Sequence, residues 1–193
     1  MVKFKKHKSI CKNGGYTVTI AGLIVLAAIL LIGGFYIHTA SKLGRLHQSA
    51  RNTAGELDTL LWDRNHVLDQ IIQKVEAAGI SVPEEHKKPI AMALGMLPIM
   101  QMSVYKSIDD RGKAVFELAN EKPELVETEE MKKLMGRFTN LKIDISECGS
   151  RYNLKATEFN AFINRPLGRF LAGRKKMSEK NHFNIALAEV SAV

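Results

Sequence analysis

No acidic residue occurs before Glu56 in this 193-residue chain, and residues 16–37 carry no charge of either sign. Cysteine is nearly absent. Cys11 and Cys148 are the only two, too few for a disulfide framework or a cysteine metal box, and a membrane lying between them would forbid even one pairing. The chain has no glycine-rich phosphate loop, His-Glu-x-x-His helix, Gly-x-Ser-x-Gly elbow or Cys-x-x-Cys pair. Its six histidines are scattered. The nearest approach to a ligand set is Asp63-x-x-His66-x-x-Asp69, which places His66 one helical turn from each carboxylate. A metal would need further ligands from facing helices, and no matching Glu-x-x-His exists elsewhere, so the trio reads as surface charge on a helix. These absences argue against an enzyme and imply no cofactor and no metal.

The uncharged run from Tyr16 to Ile37 is the length that a helix crossing a hydrocarbon core about 30 Å thick requires, roughly 20 residues. Tyr16 at one end and Phe35 with Tyr36 at the other suit the headgroup region, where a ring has one wet edge. A secretory signal is the rival reading, with Thr39-Ala40-Ser41 as the small residues near a cut. Signal cores, however, run to about 7–15 apolar residues, shorter than this one. The net charge of +8 divides unevenly around the run. Lys3, Lys5, Lys6, Lys8 and Lys12 precede it, leaving 23 Lys and Arg against 20 Asp and Glu beyond it. The basic character therefore reports mainly a short tail, and no nucleic-acid partner is expected. A lysine cluster beside a membrane helix favours a cytoplasmic N-terminus.

Beyond the run, no proline interrupts residues 39–78, and Leu43, Leu46, Ala50, Thr53, Leu57, Leu60, Arg64, Val67 and Ile71 recur in steps of three and four. That is one seam of a long helix, continuous with the anchor, able to carry the chain some 60 Å at about 1.5 Å per residue. Gly79 and Pro83 stop it. Pro89 and Pro98 bracket a methionine-rich stretch, read as a short helix or the kinked start of the next one, its unbranched side chains filling gaps. A second helix closes at Asn120. A third carries the clearest heptad: Met131, Leu134, Phe138, Leu141, Ile145, Cys148, Tyr152, Lys155, Phe159 and Phe162. Glu127, Glu129 and Glu130 suit its first turn, and Pro166 follows its end.

The expected fold is all-α: a transmembrane helix continuing into a long antiparallel bundle of three to four helices. Helices running up, down and up would place Pro166 at the tip far from the membrane. The expected divisions are a basic cytoplasmic tail (1–15), the transmembrane helix (16–38), the bundle (39–166) and a basic tip with a C-terminal segment (167–193). Arg165, Arg169, Arg174, Lys175, Lys176 and Lys180 form the one dense basic cluster outside the tail, read first as solvated charge on the tip and otherwise as a candidate surface for an anionic partner.

The third helix also carries a pattern that resembles the LemA proteins, membrane-anchored helical proteins of bacteria. Tyr152-Asn153 and Phe159-Asn160 stand seven residues apart, as in that family's Tyr-Asn repeat, with Pro166 and residues 167–173 in the place of its terminal turn and apolar segment. Lys122-Pro123-Glu124-Leu125 resembles the family's Tyr-Pro-x-Leu, and Leu57-Asp58 with Leu61-x-x-Arg64 its Ile-Asp-x-x-Leu-x-x-Arg. The chain departs from it at Asp69-Gln70-Ile71, at Lys142-Ile143-Asp144 and in the basic residues 169–176, as a divergent member would. The resemblance implies a bacterial inner-membrane protein whose bundle lies outside the cytoplasm among other envelope proteins, with a homo-oligomer allowed. Docking or scaffolding is the expected role; a ligand-sensing bundle or an assembly subunit of an envelope machine is the alternative. Asn153 and Asn160 fall on the flank of the seam, where each carboxamide is expected to reach a facing helix such as the one holding Asp58 and Arg64.

Overall fold

A computed structural model describes residues 14–93 and 95–184, with side chains from residue 22 onward. Residues 1–13 of the expected tail, with Cys11 and its lysines, and the apolar residues 185–190 lie outside the described residues. Among the described residues six helices follow one another: α1 (Gly14–Ala77), α2 (Glu84–Lys87), α3 (Pro98–Asn120), α4 (Pro123–Val126), α5 (Glu129–Ile163) and α6 (Pro166–Arg174). The fold is all-helical, as the periodicities require.

Two compact units divide the chain, Met1–Lys42 and Leu43–Val193. In the first, Leu23, Ile24, Leu30, Leu31, Ile32, Phe35 and Ile37 are exposed, and α1 is the one described helix long and apolar enough to cross a membrane.

The second unit packs α1 from Leu43 onward against α3 and α5. Helix α1 ends as its glycine predicts. Gly79, at φ +82, donates its N–H to Glu76 O, and Ile80 donates to Val75 O, a Schellman closure with buried Ile80 folded over buried Val75. Leu57, Leu61, Val67, Leu68, Ile71 and Val75 of α1 meet Val104, Ile108 and Val115 of α3 and Met131, Phe138, Ile145, Cys148 and Ala156 of α5 in one core.

Helix directions depart from the up-down-up expectation. Gln101 reaches Ala54 and Asp58, Arg64 reaches Asp109, and Lys122 reaches Ala78, so α3 runs parallel to α1. Lys74 pairs with Glu130, Cys148 faces Thr53 and Arg151 pairs with Glu56, so α5 runs antiparallel to both. The difference lies in residues 78–97, which return along the unit instead of turning at its end. Among the described residues between Pro89 and Pro98 there is no helix. Leu97 is extended before Pro98, which opens α3 at its first turn, where its missing N–H costs nothing. The C-terminal end of α5, which Pro166 follows, accordingly lies at the Leu43 end of this unit, where Phe159 meets His47, and not at the opposite end.

Helix α5 follows its heptad with one slip: Ala156 is buried where Lys155 is half-buried. A straight helix has 3.6 residues per turn, so a seam counted in sevens drifts off its face and moves on by one position. Glu127 caps α4, leaving Glu129 and Glu130 in the first turn of α5 behind the Thr128 cap. Residues 167–174 belong to α6, whose Leu171 and Ala172 are buried.

Candidate functional site

Residues 177–184 leave α6 through Lys176, at φ +52, and run back along α5 without regular secondary structure. Two asparagines hold this strap by its main chain. Asn160 donates from Nδ2 to Lys180 O at 2.9 Å and accepts the Lys180 N–H at 2.8 Å. Asn153 does the same to Phe183, at 2.6 and 2.7 Å. Each carboxamide thus reads both the N–H and the C=O of one residue. The asparagines are seven apart on a helix, about 10.5 Å at 1.5 Å per residue. The clamped residues are three apart, a distance that an extended chain covers at about 3.4 Å per residue. The match forces the strap to be extended and antiparallel to α5. Neither carboxamide reaches α1: the expected bond to the helix holding Asp58 and Arg64 is replaced by this one.

Further bonds fix the register. Tyr152 Oη donates to Asn181 O (3.0 Å), Asn164 donates to Glu179 (2.8 Å), and the Thr157 hydroxyl meets His182 Nε2 (2.9 Å). Phe183 is the strap's buried side chain. It sits edge-on to Tyr105 at 6.5 Å and over Gly149, where a Cβ would come within 2.5 Å of the ring. Asn184 N approaches Met102 Sδ at 3.1 Å, which places α3 on the strap's other side.

A pocket of about 330 Å³ opens beside it, lined by His47, Tyr152, Lys175, Lys176, Glu179 and Lys180 among others. Burial lowers the His47 pKa, and Lys180, Arg51 and Lys175 push it further the same way. Burial and then Arg51 likewise hold the Lys180 ammonium below the usual lysine value. Lys180 lies over the Phe159 ring at 5.2 Å. Of the expected basic cluster, Lys175, Lys176 and Lys180 enter this pocket. Arg165 caps α6, Arg169 is exposed, and Arg174 is exposed beside Phe170 at 6.0 Å; none of the three lines the pocket.

The remaining motif residues are structural. Leu57 is core, Leu125 packs on it, and Pro123 and Pro166 open α4 and α6. Asp58, 1% exposed, accepts from Gly95 N (2.8 Å) and Gln101 Nε2 (2.6 Å), tying the return segment to α1. Arg64, equally buried, donates to Asp109 at 2.7 Å, with its guanidinium 4.2 Å from the Phe138 ring centre and 5.2 Å from that of Tyr105. Burial raises the Asp109 pKa, but Arg64, Lys113 and Lys142 outweigh it and hold the carboxyl below its usual value. Cys148 is fully buried against Thr53 O, and burial pushes its thiol pKa up. Asp63, His66 and Asp69 do not converge: His66 lies against Gln70 while Asp69 faces Asn65 and Arg111. Sequence reasoning marked both asparagines but missed what they hold. The one available signal was Lys180-x-x-Phe183, three apart where the asparagines are seven apart.

No family model, no curated protein and no solved structure matches this chain.

Proposed function

We propose that this chain is a single-pass, non-enzymatic docking protein of the bacterial cell envelope, a divergent relative of the LemA proteins, with its N-terminus in the cytoplasm and its helical unit outside. The observation that carries the reading is the clamp. A surface that binds polypeptide through paired N–H and C=O contacts is suited to holding chains rather than transforming small molecules. The exposed apolar part of α1 supplies the anchor, and the lysines before it supply the orientation. Membrane-impermeant maleimide on intact cells tests the topology. Cys148 should react only after the exterior domain is unfolded, and Cys11 only after lysis. Reaction of Cys11 in intact cells, with Cys148 protected even after that treatment, would invert the topology and sink the reading.

The pocket of lysines beside His47 favours one alternative, an extracytoplasmic unit that senses a small anion. A screen of anionic metabolites in which one raises the melting temperature by several degrees would put that reading first. A role as fixed subunit of an envelope machine would instead show as a stoichiometric complex after crosslinking.

A further inference from the structure

We propose that the α5 groove of Asn153, Asn160 and Gly149 is the docking site for an extended segment of a partner protein, with an acidic residue three positions before a phenylalanine, and that residues 179–184 occupy it as a replaceable stand-in. The inference rests on the docking reading above and names the partner's chemistry.

Three observations on the groove carry it. The clamps bind main chain at two positions, so they accept any extended peptide of the right register and leave selection to side chains. Glu179 and His182 make exposed hydrogen bonds to Asn164 and Thr157, and the two strap side chains that are at least half-buried at the clamped positions are Phe183 and Lys180. Phe183 fills the space that Gly149 leaves open against Tyr105, a shape that rewards an aromatic ring. At the other position the chain's own residue carries the wrong charge. Lys180 stands half-buried near Arg51, in a pocket shared with Lys175, Lys176 and His47, and Glu179 is the one carboxylate in its lining, already engaged by Asn164. A carboxylate in place of Lys180 would meet those cations favourably and keep both clamps. What holds Lys180 in its place is the Phe159 ring and the main-chain bonds of Asn160. The self-segment therefore fits by shape and main chain but not by charge, as a displaceable occupant must.

The test uses full-length chain in detergent and two fluorescein-labelled peptides of residues 178–184, one native and one with Lys180→Glu, read by anisotropy. Phe183→Ala in the chain loosens the stand-in without touching the clamps. It should bind the glutamate peptide at least tenfold tighter than the native peptide, and wild type should bind it more weakly than Phe183→Ala does. An Asn153→Ala/Asn160→Ala chain should bind neither. Equal affinity for the two peptides would overturn the acidic assignment. No binding by a Phe183→Ala chain that keeps its helical circular dichroism would overturn the groove. A wild-type dimer that the peptide dissociates would make a second copy the occupant and overturn the partner. Should Phe183→Ala fail to fold, Lys180→Glu in the full chain serves instead: a higher Tm and slower amide exchange across 179–184 support the charge argument, and a lower Tm refutes it. Because detergent abolishes sidedness, these results stand or fall independently of the maleimide topology.

Discussion

Asp109 shows how a single charge decides stability here. It sits nearly buried between Arg64, Lys113 and Lys142, and its removal would leave the Arg64 guanidinium unpaired between two rings. Asp109→Asn should cost about 3–5 kcal/mol, read as a shift of the urea midpoint at pH 7, because the surviving buried charge loses its partner. An effect below about 1 kcal/mol would mean that water reaches the guanidinium. The pH dependence follows from the lowered pKa of the folded carboxyl. Its stabilisation is complete above the unfolded value of about 4 and is lost as pH falls through the folded value. Arg64 was legible on the helical seam as a position, since it falls at the same three-four spacing as its apolar neighbours. Its partner was not legible, because Asp109 lies 45 residues away and nothing local couples the two.

At the scale of elements, the corner between α5 and α6 depends on Gly168. A Cβ there would lie 2.0 Å from the Phe162 carbonyl oxygen, a backbone atom that no rotamer change can remove. Gly168→Ala should therefore push α6 off α5 and destabilise the unit by at least the 1–3 kcal/mol typical of overpacking, about, measured as a fall in melting temperature. Gly173→Ala, where a Cβ meets nothing within 4 Å, is the control and should leave it unchanged or raise it slightly. Helices α1, α3 and α5 were legible because long amphipathic stripes leave few alternatives. The helix expected between Pro89 and Pro98 was not, because apolar content there serves a return segment. Asp58 pins that segment through Gly95 N–H, and Met96 buries itself in the core.

For the helical unit as a whole, the strap is the element whose surroundings His47 couples to pH. The folded His47 pKa is depressed by burial and by Lys180, Arg51 and Lys175, so the stability it contributes is present above its unfolded value of about 6.5 and is lost as pH falls. Protonation adds one more cation facing Lys175 and Lys180 from α1, with Glu179 the opposing charge in the pocket lining. Hydrogen exchange across 179–184 should thus quicken, relative to α5 and after correction for intrinsic rates, between pH 7.5 and pH 5.5. His47→Gln should flatten that dependence, whereas an unchanged dependence would assign it to other groups. The sequence by itself determined the elements of this protein: an uncharged run long enough to span a bilayer, amphipathic helices with no proline past their first turn, and the caps that end them, all set by residues within a few positions of one another. Only the tertiary structure decided that α3 runs parallel to α1, that Arg64 meets Asp109, and that Asn153 and Asn160 hold a strap. Those outcomes depend on which distant groups a folded chain brings within hydrogen-bond reach, and neither periodicity nor composition encodes that distance.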